Sequence, residues 1–182
     1  MGIDPAKVEP DDIHSFNRYA YAINNPYKYV DPDGKKVVIS GSKSFQKQAQ
    51  SAINQIKSKP SGKALYDSLN NSSKVHTITQ SSSGNSVIPD KGYKPGTGTG
   101  STIRFDPSSM HGGVDATGST SRPPFVGLGH EMGHSEAIDQ GTQVFGRGSG
   151  KKGTTPPREN NSMKRENQIR NEHKLPARPS YY

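Results

Sequence analysis

The sequence predicts an α+β domain: short strands in a small, mostly antiparallel sheet, a buried central helix and a C-terminal helix. Three observations predict it. Phe45, Ala49, Ala52, Ile53 and Ile56 recur at helical spacing. Brief β-rich runs, Val37-Val38-Ile39 and Ser101-Thr102-Ile103-Arg104-Phe105, stand apart from the helical stretches. Two later stretches, around residues 125–140 and 158–173, are bracketed by prolines and a glycine that suit helix ends.

Taken in order, residues 36–40 read as a first strand. Ser42 or Ser44 caps the first helix, Pro60 ends it, and Ser61 caps a second helix carrying Ala64, Leu65 and Leu69. Asn70-Asn71-Ser72-Ser73 is a turn, and residues 74–79 alternate weakly as a strand. Residues 81–100, rich in Ser, Gly, Pro and Thr, read as a loop. Asp106-Pro107 stops the strand over residues 101–105. Residues 112–121 form a loop that leads into the third helix, which Pro123 and Pro124 open and Gly141 closes. A basic, Gly-rich loop follows, and Pro156-Pro157 introduce the last helix.

The third helix carries His130-Glu131-Met132-Gly133-His134, an HExxH run. Its first and fifth residues stack one turn apart, so two imidazoles can grip one metal ion. Glu131 lies between them, within reach of a water that zinc would make acidic, and fits a general base. An accidental match would be a surface helix with two stray histidines. Phe125, Val126, Leu128 and Met132 argue against that, because they call for burial, and buried imidazoles without partners are costly. Glycines 127, 129 and 133 each cost about 1 kcal/mol relative to alanine in a helix interior. Packing, metal or close backbone approach must therefore hold this helix.

The 182 residues amount to one domain plus a tail; only 27% are hydrophobic, and the mean hydropathy is -0.91. With so thin a core, a bound metal would contribute to folding as well as chemistry. There are no cysteines, so disulfides and thiolate ligands are excluded, and the ion must be held by nitrogen and oxygen. No apolar run approaches membrane-spanning length, and no leader is readable in the polar, acidic first residues. The net charge of +8 favours acidic partners. The lysines are not interleaved with aromatics as in nucleic-acid modules, which speaks against a nucleic-acid target.

A catalytic zinc takes three protein ligands, so a third must come from downstream. Glu159, Glu166 and His173 fall on one stripe of the last helix; the bland reading is a charged, solvent-facing stripe. Asp139 is too near the motif to fold back and suits support of a histidine instead. His111, beside Gly112-Gly113, is a lesser candidate for lining the cleft.

Residues 128–134, followed by residues 159–170 and 175–181, resemble the NleD-type effector metallopeptidases. That family shows an HELGH-like helix, an E-x-x-A-like turn, an ENxIR helix and a terminal RxxY. Ser135 and Ser162 depart from its pattern, both as small residues. The resemblance implies a minimal zincin-like fold and a zinc endopeptidase, with His130, His134 and Glu159 as ligands and Glu166 as the competitor for the third place. It implies Glu131 as base, and Arg178 and Tyr181 as groups near the oxyanion. In zincin-like folds an edge strand lies above the metal helix and pairs with extended substrate; residues 101–105 are given that role. A protein substrate in a target cell is implied as well.

Residues 1–34 differ in composition, with Asn17-Arg18-Tyr19 and Asn24-Asn25-Pro26-Tyr27-Lys28-Tyr29-Val30-Asp31-Pro32-Asp33-Gly34. This run is similar to the end of the core of Rhs/YD-repeat polymorphic toxins, where a variable toxin follows. The expected organisation is a core remnant over 1–34 and a peptidase domain over 35–182. An Rhs-type carrier shell, delivery by a bacterial secretion system into a target-cell cytoplasm, and a cognate immunity protein follow from that resemblance. The competing classes are a binding module that the metal merely stabilises and a basic toxin acting on nucleic acid.

Overall fold

The computed structural model describes residues 36–146 and 150–182; the Rhs-like reading of 1–34 lies outside them. The order is β1 (Val37–Ser40), α1 (Lys43–Lys57), α2 (Pro60–Asn70), β2 (His76–Gln80), β3 (Ser86–Pro89), β4 (Ser101–Phe105), α3 (Pro124–Asp139), a 3-10 turn (Pro157–Glu159) and α4 (Asn160–Glu172). This is an α+β fold compatible with a zincin-like architecture. No described helix is long and apolar enough to cross a membrane.

The sheet order is β1-β2-β4-β3. β1 with β2 and β2 with β4 are parallel, and only β3 with β4 is antiparallel. The sheet is therefore mixed, where a mostly antiparallel one was expected. The cause is connectivity. The α1–α2 pair forms the long crossover that parallel neighbours require. After β2 the chain passes to the far edge, forms β3, and returns as β4 between them. β3 lies inside the stretch read as a loop. Ser86-Val87-Ile88-Pro89 is too short to show a period, and Pro89 is acceptable only at an edge. The β4 strand, expected at the edge, is internal because β3 covers it.

Alternation sets the core. His76 and Ile78 of β2, and Ser101, Ile103 and Phe105 of β4, face the helices and are buried. Phe45, Ile53 and Ile56 of α1 and Leu65 and Leu69 of α2 pack in the same cluster. Ser42 caps α1 by accepting from the Phe45 N–H at 3.2 Å. Pro60 opens α2 instead of ending α1, which already closes at Lys57. A proline at the first helical position loses no bond, since that N–H has no helical partner. Ser61 is no cap; its N–H and hydroxyl both donate to Glu172 of α4.

α3 is buried from Phe125 to Ile138, with α1, α2, α4 and the sheet on its sides. Its glycines allow close packing. A Cβ on Gly133 would stand 2.8 Å from the Ser162 Cα and 3.2 Å from the Arg165 Cβ. Backbone cannot yield there without moving α4. Gly133→Ala is therefore expected to destabilise by about 1–3 kcal/mol despite alanine's better helix propensity. Denaturant unfolding checks this; an unchanged or raised midpoint would show that α4 can move away freely.

A polar network joins the sheet to the end of α3. His76 is fully buried, with Nδ1 at 2.9 Å from Ser101 Oγ and Nε2 at 3.3 Å from Asp139 Oδ1. The Ser101 hydroxyl donates to Ser135 Oγ at 2.9 Å, which accounts for a hydroxyl at the position after the HExxH run. Burial lowers the His76 pKa, with Asp139 opposing. Asp139 thus belongs to the sheet side and supports neither motif histidine.

Candidate metal centre

The helical period brings the rings of His130 and His134 together, centroids 5.0 Å apart. Glu159 arrives from the 3-10 turn that Pro156-Pro157 start. One carboxylate oxygen, Glu159 Oε2, lies 3.2 Å from His130 Nε2 and 2.9 Å from His134 Nε2. One ligand atom from each of these three buried residues lies within 4.8 Å of the others, a group that can hold a metal ion. Glu166 does not share that position. Its Oε2 sits 2.8 Å from His130 Nδ1, on the far side of the ring.

The second nitrogen of each imidazole is also engaged. Glu166 takes Nδ1 of His130, and Gln143 Oε1 lies 3.2 Å from Nδ1 of His134. The orientation of the Gln143 amide is fixed because its Nε2 donates to the Val144 and Arg158 carbonyls. A neutral imidazole donates from one nitrogen only. With Nδ1–H given to these acceptors, both Nε2 lone pairs would face a carboxylate oxygen. That arrangement is repulsive unless a cation or added protons lie between. The donor set therefore fits a divalent ion.

The electrostatics agree. Burial opposes charge on His130, but hydrogen bonds to Glu159 and Glu166 outweigh it and push the imidazole up to about 9. Burial likewise opposes ionisation of Glu159, and His130 and His134 overcome it, holding the carboxyl well below the usual range. Glu166 is brought down to about 2 against the cost of burial, by His130 and Arg170. The geometry asks for positive charge among these carboxylates. Glu131 behaves oppositely: burial raises its pKa, with His130, His134 and Arg122 opposing.

A cavity of about 280 Å³ opens over this group, lined by His130, Glu131, His134 and Glu159. β3 contributes Ser86, Val87 and Pro89 to one wall, and Val144, Phe145, Arg158 and Tyr181 also line it. The edge strand over the metal helix is thus β3, not residues 101–105. Tyr181 stacks toward His130 with centroids 6.2 Å apart and an interplanar angle of 28°. Burial raises its phenol pKa, helped by Glu159.

Arg178 stands behind the site, not in the cavity wall. It is buried, 3.5 Å from Glu166 Oε2, and donates to the Ser180 and Tyr181 carbonyls. Asn167 holds the same tail through the Arg178 backbone, its amide donating to the Arg178 carbonyl and accepting from the Arg178 N–H. His111 pairs with Ser121 in an isolated bridge and does not line the cavity. Sequence reasoning missed Gln143, β3 and Arg158. A single glutamine in a Gly-rich loop carries no spacing signal, and Arg158 reads as an ordinary residue of a helix start.

No curated protein and no solved structure matches the chain. The peptidase M91 family model, described as "Effector protein", matches residues 33–164, which take in the HExxH helix, β3 and Glu159. That span is well over half of the sequence, and the chain belongs to the peptidase M91 effector family.

Proposed function

We propose that residues 35–182 are a zinc-dependent endopeptidase that acts on a protein of a target cell. The observation that carries this reading is the doubly engaged histidine pair: both Nδ1 atoms are held by acceptors, and both Nε2 atoms converge on Glu159. His130, His134 and Glu159 would hold the ion. When bound, it supplies Lewis acidity, polarising a carbonyl and making a coordinated water acidic near neutral pH.

Glu131 would take the proton of the attacking water and return it to the leaving amine. Its carboxylate reaches the cavity, and its raised pKa suits a group that must both accept and release a proton. Tyr181 would donate its phenol O–H to the developing oxyanion. Arg178 would position that ring, with its guanidinium 4.7 Å from the ring centroid and Nη2 on the Tyr181 carbonyl at 2.7 Å. As the edge strand of the described sheet, β3 gives an extended substrate a strand to pair with.

The effector family supports delivery into a target cell and a protein substrate. The Rhs-like run in residues 17–34 supports a carrier shell as the vehicle and a cognate immunity protein in the producer. The test is metal analysis of the purified protein with proteomic mapping of new cleavage sites. One zinc per chain is expected, with cleavage lost on chelation and restored by zinc. Protein that retains no stoichiometric metal after reconstitution would end the proposal.

A further inference from the structure

Val144 and Phe145 are half exposed, at 50% and 56%, although both are large and apolar. They sit side by side on the lip of the metal cavity. Tyr93 holds Phe145 edge-to-face at 5.0 Å and donates its hydroxyl to the Gln143 carbonyl at 2.9 Å. Ile138, one turn beyond His134 on α3, lines the same cavity, and Val87 and Pro89 stand in the β3 wall. Arg158, the cation of this wall, lies 3.1 Å from Glu159 Oε1. Exposed apolar groups gathered at one end of a cleft mark a place where another apolar group binds.

The direction of the strand fixes which end this is. Asn85, just before β3, lies against Gly127, where a Cβ would meet its Nδ2 at 2.5 Å. Pro89, at the other end, pairs with Ser101, and the Ser101 hydroxyl bonds Ser135. β3 therefore runs beside α3 in the same sense, from Gly127 toward Ile138. Antiparallel pairing is the more stable mode for an added strand. A peptide so paired runs the opposite way. Its N-terminal residues pass Ile138, Val144 and Phe145, its scissile bond lies at His130 and His134, and its C-terminal residues leave past Asn85.

Resting on the peptidase reading, we propose that the cleft selects a large apolar side chain within the two residues N-terminal to the scissile bond. Val87, Pro89, Ile138, Val144 and Phe145 receive it.

Zinc-loaded protein and a proteome-derived peptide library test this. Phe, Tyr, Leu or Met is expected to be enriched at one of those two positions. Phe145→Asp is expected to lower kcat/KM for the preferred peptide roughly 10- to 100-fold, with metal content unchanged. Calorimetry gives a readout apart from turnover: the same peptide should bind Glu131→Gln protein more weakly, by a similar factor, once Phe145→Asp is added. Cleavage without apolar preference, or with preference only C-terminal to the bond, overturns the inference and leaves the peptidase standing. Absence of any cleavage by metal-loaded wild type removes both.

Discussion

Glu131→Gln is expected to lower kcat/KM by roughly 100- to 10,000-fold while the protein keeps its metal. The substitution is nearly isosteric, so the fully packed α3 has no reason to shift. His130 and His134 keep their partners, because Glu166 and Gln143 hold them through bonds that do not involve residue 131. On the proposed mechanism, only proton transfer is removed. The check is elemental analysis and cleavage measured on the same preparation. Full activity in the variant would remove Glu131 as base. Loss of metal along with activity would mean that the glutamate maintains the site instead.

Glu166→Gln should act in two ways at once. Glu166 is fully buried, 2.8 Å from Arg170 Nε, 3.5 Å from Arg178 Nη1 and 2.8 Å from His130 Nδ1. Without its charge, two buried guanidinium groups lose their counter-ion, and breaking such a pairing costs about 3–5 kcal/mol. The one amide oxygen of glutamine cannot accept from both His130 Nδ1 and Arg170 Nε as the two carboxylate oxygens do, so His130 keeps at most an uncharged, contested acceptor, which weakens metal affinity by about 10- to 100-fold. The pH dependence follows from a folded pKa brought down to about 2 from 4.5. A depressed carboxyl contributes stability above its unfolded value and loses it as pH falls toward the folded one. Wild type should thus weaken between about pH 4.5 and 2 by a component that Glu166→Gln lacks. Thermal unfolding across that range, with and without chelator, separates the two effects. A variant as stable as wild type that binds zinc equally well would show the buried cluster to be compensated elsewhere.

The parts of this molecule that were legible share one property: their chemistry is local in sequence. HExxH needs only one helical turn, so five residues announce it. The apolar spacing of Phe45 to Ile56 needs one helix, and Pro156-Pro157 announce the turn that presents Glu159. Glu159 over Glu166 was legible by resemblance only, since both lie on the same stripe of the chain. The structure separates them by which face of His130 each approaches. The illegible parts depend on distant partners. β3 is four residues long and owes its existence to β4. Parallel pairing came from the path between strands, about which strand composition is silent. Gln143 matters because a loop carries its amide back to His134. Arg178 was read as a group near the reaction, and its guanidinium proves to be spent on the tail carbonyls and on Glu166.

Every side chain that completes the histidine pair follows α3 along the chain: Gln143 on His134, Glu159 between the rings, Glu166 behind His130. A polypeptide emerging from the ribosome therefore exposes its HExxH segment well before anything exists to complete it. On the peptidase reading, a nascent chain stays inert until residues as far as Glu166 have been made and folded back onto α3.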